Sequence, residues 1–88
     1  MKTVSEVRKD FMKAYHEPNL EIAKREMKKC LDEDFGWIKS SSTGSNHLKA
    51  LEHFIDVMTI ESGMIYGMIF DAFNKLMEEQ YGSKGDSE

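Results

Sequence analysis

Three histidines, one cysteine and a run of serines are the residues with most chemistry to offer. His16, His47 and His53 are spaced so that no two stand four apart, so no turn of helix carries a pair of imidazoles for a metal ion. His53 and Asp56 are three apart with Glu52 alongside, and these three form the one set suited to divalent-metal or acid–base work. A single histidine among acids on a helix surface is more commonly a solvated pair. Cys30 follows Lys28 and Lys29, whose ammonium groups would lower a thiol pKa. It also lies on an apolar helical stripe, where a buried, inert thiol is expected. The stretch from Ser40 to Ser45 carries no nucleophile-elbow spacing, and no glycine-rich loop follows a strand. These residues predict no catalytic centre, no metal and no cofactor, and so a protein that is not an enzyme.

The chain of 88 residues has room for one domain, expected over 1–81 with a disordered tail at 82–88. With 40% hydrophobic and 32% charged residues it has the composition of a globular protein. Cys30 has no partner for an intrachain disulfide, so nothing points to an oxidising compartment. The most apolar stretch, Val57 to Phe73, is interrupted by Glu61 and Asp71 and falls short of the ~20 residues of a membrane span. The expectation is a cytoplasmic protein with no membrane contact. Up to Lys39 there are nine basic and eight acidic residues, and beyond it three and eight. An acidic second half argues against a nucleic-acid partner and leaves room for a basic protein partner.

The spacing of apolar residues along the chain is helical. Helix one is expected from Val4 to His16. Thr3 and Glu6 stand at capping-box spacing, Val4, Val7, Phe11, Ala14 and Tyr15 form one stripe, and Pro18 ends the element. Helix two is expected from Leu20 to Glu33, with Asn19 as its cap and Leu20, Ala23, Met27, Cys30 and Leu31 on its apolar face. Gly36 marks its end, and Phe35, Trp37 and Ile38 are compatible with a short strand or, preferably, a plug over the end of a helical core. Lys39 to Asn46 is a polar loop. From His47 to Tyr81 a heptad seam of Leu48, Leu51, Ile55, Met58, Ser62, Ile65, Ile69, Ala72 and Leu76 runs without a break. The fold class is all-α: three long helices with the last as a central strut, or four if that helix breaks near Ser62-Gly63.

An unbroken helix from His47 to Tyr81 would be ~52 Å long, far beyond a compact domain with a radius of gyration of ~12 Å. Its apolar end would then need a second copy of the chain. Gly63 and Gly67 share a helix face and would let another backbone come close. The seam stays in register through Ser62, which favours the unbroken helix and a homodimer. The self-interface is expected at Gly63, Met64, Ile65, Gly67, Met68 and Ile69.

Four internal methionines, Met58, Met64, Met68 and Met77, fall on this last segment, and flexible thioethers suit adaptable binding surfaces. Trp37, beside Phe35, is a candidate anchor for a partner, with Tyr66 as a second aromatic. The functional expectation is a small protein-interaction module, a regulator, adaptor or inhibitor docking on a larger protein. The alternative is a small-molecule binder with a pocket between helices. Phe11 to Tyr15, Leu31 to Trp37 (LDEDFGW), Gly44 and Leu48 to Phe54 also resemble, in order, the opening of the cone-shaped α+β family of polyketide cyclases and ketosteroid isomerases. The resemblance covers about half the chain. It implies a curved sheet after the third helix, enclosing a pocket for a base and an oxyanion hole. Ile55 to Tyr81 reads as helix where that sheet would be, so the all-α reading is kept.

Overall fold

The computed structural model describes residues 2–39, 45–61 and 63–82. Among these residues the chain forms four α-helices and no strand: α1 (Val4–Tyr15), α2 (Leu20–Lys39), α3 (Asn46–Val57) and α4 (Gly63–Tyr81). The all-α class therefore stands, and the sheet implied by the polyketide-cyclase resemblance is absent from the described residues. Most of the expected serine loop (40–44), Ser62 and the expected tail beyond Gly82 lie outside the described residues. The chain divides into two compact units, 1–43 and 44–88. Each is a hairpin of one shorter and one longer helix, of 12 and 20 residues in the first and 12 and 19 in the second.

In the first unit, local chemistry fixes the helix ends. The Thr3 hydroxyl accepts from the Glu6 N–H, and the Glu6 carboxylate accepts from the Thr3 N–H, both at 3.1 Å. This reciprocal cap satisfies two amides at the start of α1. Asn19 caps α2, its side-chain oxygen accepting from the Ile22 N–H at 3.1 Å. Val7, Phe11 and Ala14 of α1 are buried, as are Ala23, Met27, Leu31, Phe35 and Ile38 of α2.

The expected end of α2 needs correction. The helix runs on through Gly36 to Lys39, so Phe35, Trp37 and Ile38 are helical and neither strand nor plug. The reason lies in the periodicity. Phe35 and Ile38 extend the buried stripe of Ala23, Met27 and Leu31 at intervals of four, four, four and three. Burying two large side chains is worth more than the ~1 kcal/mol that a helical glycine costs. Lys39 adds an ion pair with Asp32 two turns back.

The second unit takes the four-helix alternative, broken just before Gly63, rather than the favoured unbroken helix. The segment from His47 to Tyr81 is not one strut. α3 stops at Val57, Met58 takes an extended conformation (φ −66°, ψ 144°), and α4 begins at Gly63. Val57, Thr59, Ile60, Ser62 and Gly63 place five weak helix formers within seven positions. Folding back lets α3 and α4 pack on each other. The heptad seam survives the break: Leu48, Leu51, Ile55, Met58, Ile69, Ala72 and Leu76 are all buried. With the strut goes the overhang that called for a second copy.

Candidate binding face

α3 and α4 run antiparallel, and one side of their hairpin forms a continuous groove. On α3 it is lined at intervals of three and four by His47, Ala50 and Phe54, and on α4 by Met68, Ala72 and Lys75 together with Asp71. Such spacing keeps each set on one helix face. The two facing alanines leave a recess of about 220 Å³ where larger side chains would close the gap. Phe54 and Met68 wall one end.

The other end is polar and tied shut. His47 Nδ1 lies 2.7 Å from a Glu79 carboxylate oxygen. Ser45, buried, caps α3 by accepting from the His47 N–H at 3.1 Å and the Leu48 N–H at 3.4 Å. Its hydroxyl also bonds to Glu79, and this bond first and His47 second hold the Glu79 carboxyl below its ordinary pKa. The serine proton is thus directed to a carboxylate and the imidazole to that same carboxylate. Ser45 and His47 join the start of α3 to the last turns of α4.

Beyond Phe54 and Met68 the groove opens onto the turn between the helices. Val57 continues the α3 stripe one turn past Phe54, and Met64 continues the α4 stripe one turn before Met68. Val57 and Met68 are exposed, Met64 is 81% exposed, and Ile60 in the turn is 75% exposed. Helical spacing thus sets exposed Val57, Met64 and Met68 at one end of the groove, with exposed Ile60 in the adjoining turn. Phe70 is exposed too, farther round α4.

The expected self-interface residues divide between surface and core. Gly63, Met64, Gly67 and Met68 are exposed, Ile65 is half-buried, and Ile69 is fully buried as a core residue. Among the described residues, a Cβ added at Gly63 or Gly67 would meet no atom within 4 Å, so neither glycine serves a close approach there. Of the aromatic anchors, Trp37 is 62% exposed, Tyr66 is half-buried, and Phe35 is buried in the apolar stripe of α2.

The first unit has a recess of its own, about 240 Å³ between α1 and α2. Its walls carry Lys13, Glu17, Glu26, Lys29 and Glu33, so both signs of charge are interleaved. At its edge Lys2 pairs with Asp10 at 2.9 Å and with Asp34 at 3.3 Å. Asp10 first and Asp34 next hold the Lys2 ammonium above its usual pKa. Cys30 also lines this recess. Its burial first, and then the charge of Asp34, push its thiol up to about 11, the reverse of an activated cysteine. Glu52, His53 and Asp56 do not converge: among the described residues no three His, Cys, Asp or Glu side chains are grouped so as to hold a metal ion. No helix is long and apolar enough to cross a membrane among those residues.

Several of these features were hidden in the sequence. His47 and Glu79 are 32 positions apart and only the hairpin brings them together. Ala50 and Ala72 matter for their size and their opposition across a groove, which periodicity does not register. Ser45 did carry a signal, a serine just ahead of an apolar helical repeat. Comparison with protein-family models, with curated proteins and with solved structures gives no match.

Proposed function

We propose that this chain is a non-enzymatic protein-interaction module, and that the α3–α4 face is where it docks a helical segment of another protein. What supports this reading is the groove, with exposed Met68 in its wall and exposed Val57 and Met64 one helical turn beyond its apolar end. Exposed apolar side chains scattered singly are ordinary, whereas a contiguous group beside a groove marks a binding surface. Its length favours a helix as occupant. Positions 47 to 57 of α3 span ~15 Å, about three helical turns, the reach of a partner helix with anchors at i, i+4 and i+7. Methionines at its mouth can re-pack around different side chains.

Site-specific photo-crosslinking in cells tests the reading. A photoreactive side chain at position 64 is expected to give a discrete protein adduct, and one at position 28, on the exposed side of α2, is not. Crosslinking that is equal at the two positions, or absent at 64, would remove the α3–α4 face as the docking surface.

A further inference from the structure

The charge around this face narrows the kind of helix it fits. Of the six carboxylates and two lysines between positions 45 and 82, Glu52, Asp56 and Lys49 lie on the side of α3 away from the groove, which leaves Glu61, Asp71, Glu78, Glu79 and Lys75. Helical geometry puts Asp71, Glu78 and Glu79 on the groove side of α4, and Glu61 lies in the turn beside Ile60. Asp71 already pairs with Lys75 at 3.1 Å and Glu79 with His47. Glu61 and Glu78 are exposed, one in the turn and the other in the last turn of α4, at opposite ends of the hairpin. A second copy would bring a like-charged face against this one, and an acidic helix would do the same.

We propose, resting on the docking reading above, that the occupant is a basic amphipathic helix of a partner protein. Its apolar stripe seats over Phe54, Met64 and Met68, and its lysines or arginines meet the acidic rim at Glu61 and Glu78. Apolar burial supplies the affinity, and the rim sets orientation, partner choice and the rate of encounter.

The test uses two synthetic peptides of about 14 residues, long enough to overspan the groove at 1.5 Å per residue. One alternates leucine and lysine in a helical amphipathic pattern, and the other carries glutamate in place of every lysine. Binding is followed by fluorescence anisotropy on the full chain, and the site is located from NMR shifts of the Ala50, Met64, Met68 and Ala72 methyl groups. The lysine peptide is expected to bind at least about tenfold more tightly than the glutamate peptide, and to weaken as salt screens the rim. E61Q/E78Q is expected to lose about fivefold for the lysine peptide and to gain, not lose, affinity for the glutamate peptide, with an unchanged melting temperature. Equal affinity for the two peptides would overturn the basic partner while leaving the apolar dock intact. No binding of the lysine peptide, or shifts confined to α1 and α2, would also overturn it. Failure of the dock itself appears separately, as loss of the position-64 adduct.

Discussion

Gly36 stands inside α2 with a helical neighbour on each side, and a Cβ there would meet no atom within 4 Å. Gly36 has ordinary helical backbone, and among the described residues only Gly82 has a positive φ. Gly36→Ala is therefore expected to raise stability by about 1 kcal/mol through reduced unfolded-state entropy, read as a higher thermal midpoint. A fall in the midpoint would mean that α2 needs its glycine for something not visible in the packing. Cys30 is half-buried in α2. With its thiol pushed up to about 11, alkylation by iodoacetamide at pH 7 is expected to be slower than for free cysteine and to keep accelerating as pH rises past 9. Met64 and Phe73 give the sharpest contrast. Met64→Glu alters an exposed side chain and is expected to stay within about 0.5 kcal/mol of the parent. Phe73→Ala empties a fully buried site and is expected to cost about 3–5 kcal/mol, most of the stability of so small a chain, in a denaturant titration.

Among the elements, α3 and α4 depend on the Ser45, His47 and Glu79 contacts at the closed end of their groove. The Glu79 carboxyl is held below its ordinary value of 4.5, so the charged form is the one the folded hairpin favours. Its contribution is fully present above pH 4.5 and is lost as pH falls through the lowered folded value. Acid denaturation of the parent should begin below about pH 4.5, and Glu79→Gln should flatten that limb while lowering stability at pH 7 by less than about 1 kcal/mol, as befits a partly exposed pair. Circular dichroism at 222 nm across pH 2 to 7 separates the two curves, and superimposable curves would show that the staple is not what acid disrupts. The helix ends also show where local reading succeeded. Thr3, Asn19 and the stop before Pro18 were legible because a cap is decided by a few adjacent residues. Gly36 misled because its local cost was outweighed by apolar burial one residue before it and two after.

For the whole molecule, the charge division follows the two units: +1 over positions 1–43 and −5 over 44–88. The broken helix removes the exposed strut end that favoured a homodimer, and the docking face is net acidic. Light scattering at low salt is accordingly expected to give the monomer mass of 10.2 kDa across a hundredfold range of concentration. A dimer that persists at low salt would return the exposed Gly63, Met64, Gly67 and Met68 to the role of a self-interface. The helical class, the caps at Thr3 and Asn19 and nearly all of the core could be read from residue types and their intervals, because each depends on side chains within about one or two turns. The heptad seam named the buried positions on both sides of the break, since folding a helix back on itself leaves its apolar stripe facing inward. Where the chain turned was decided by tertiary packing, because two short helices burying each other outcompete one long helix with an uncovered face. The groove, too, came only from that turn: it sets Ala50 against Ala72 and His47 against Glu79, pairs whose distance along the chain hides them from any local pattern.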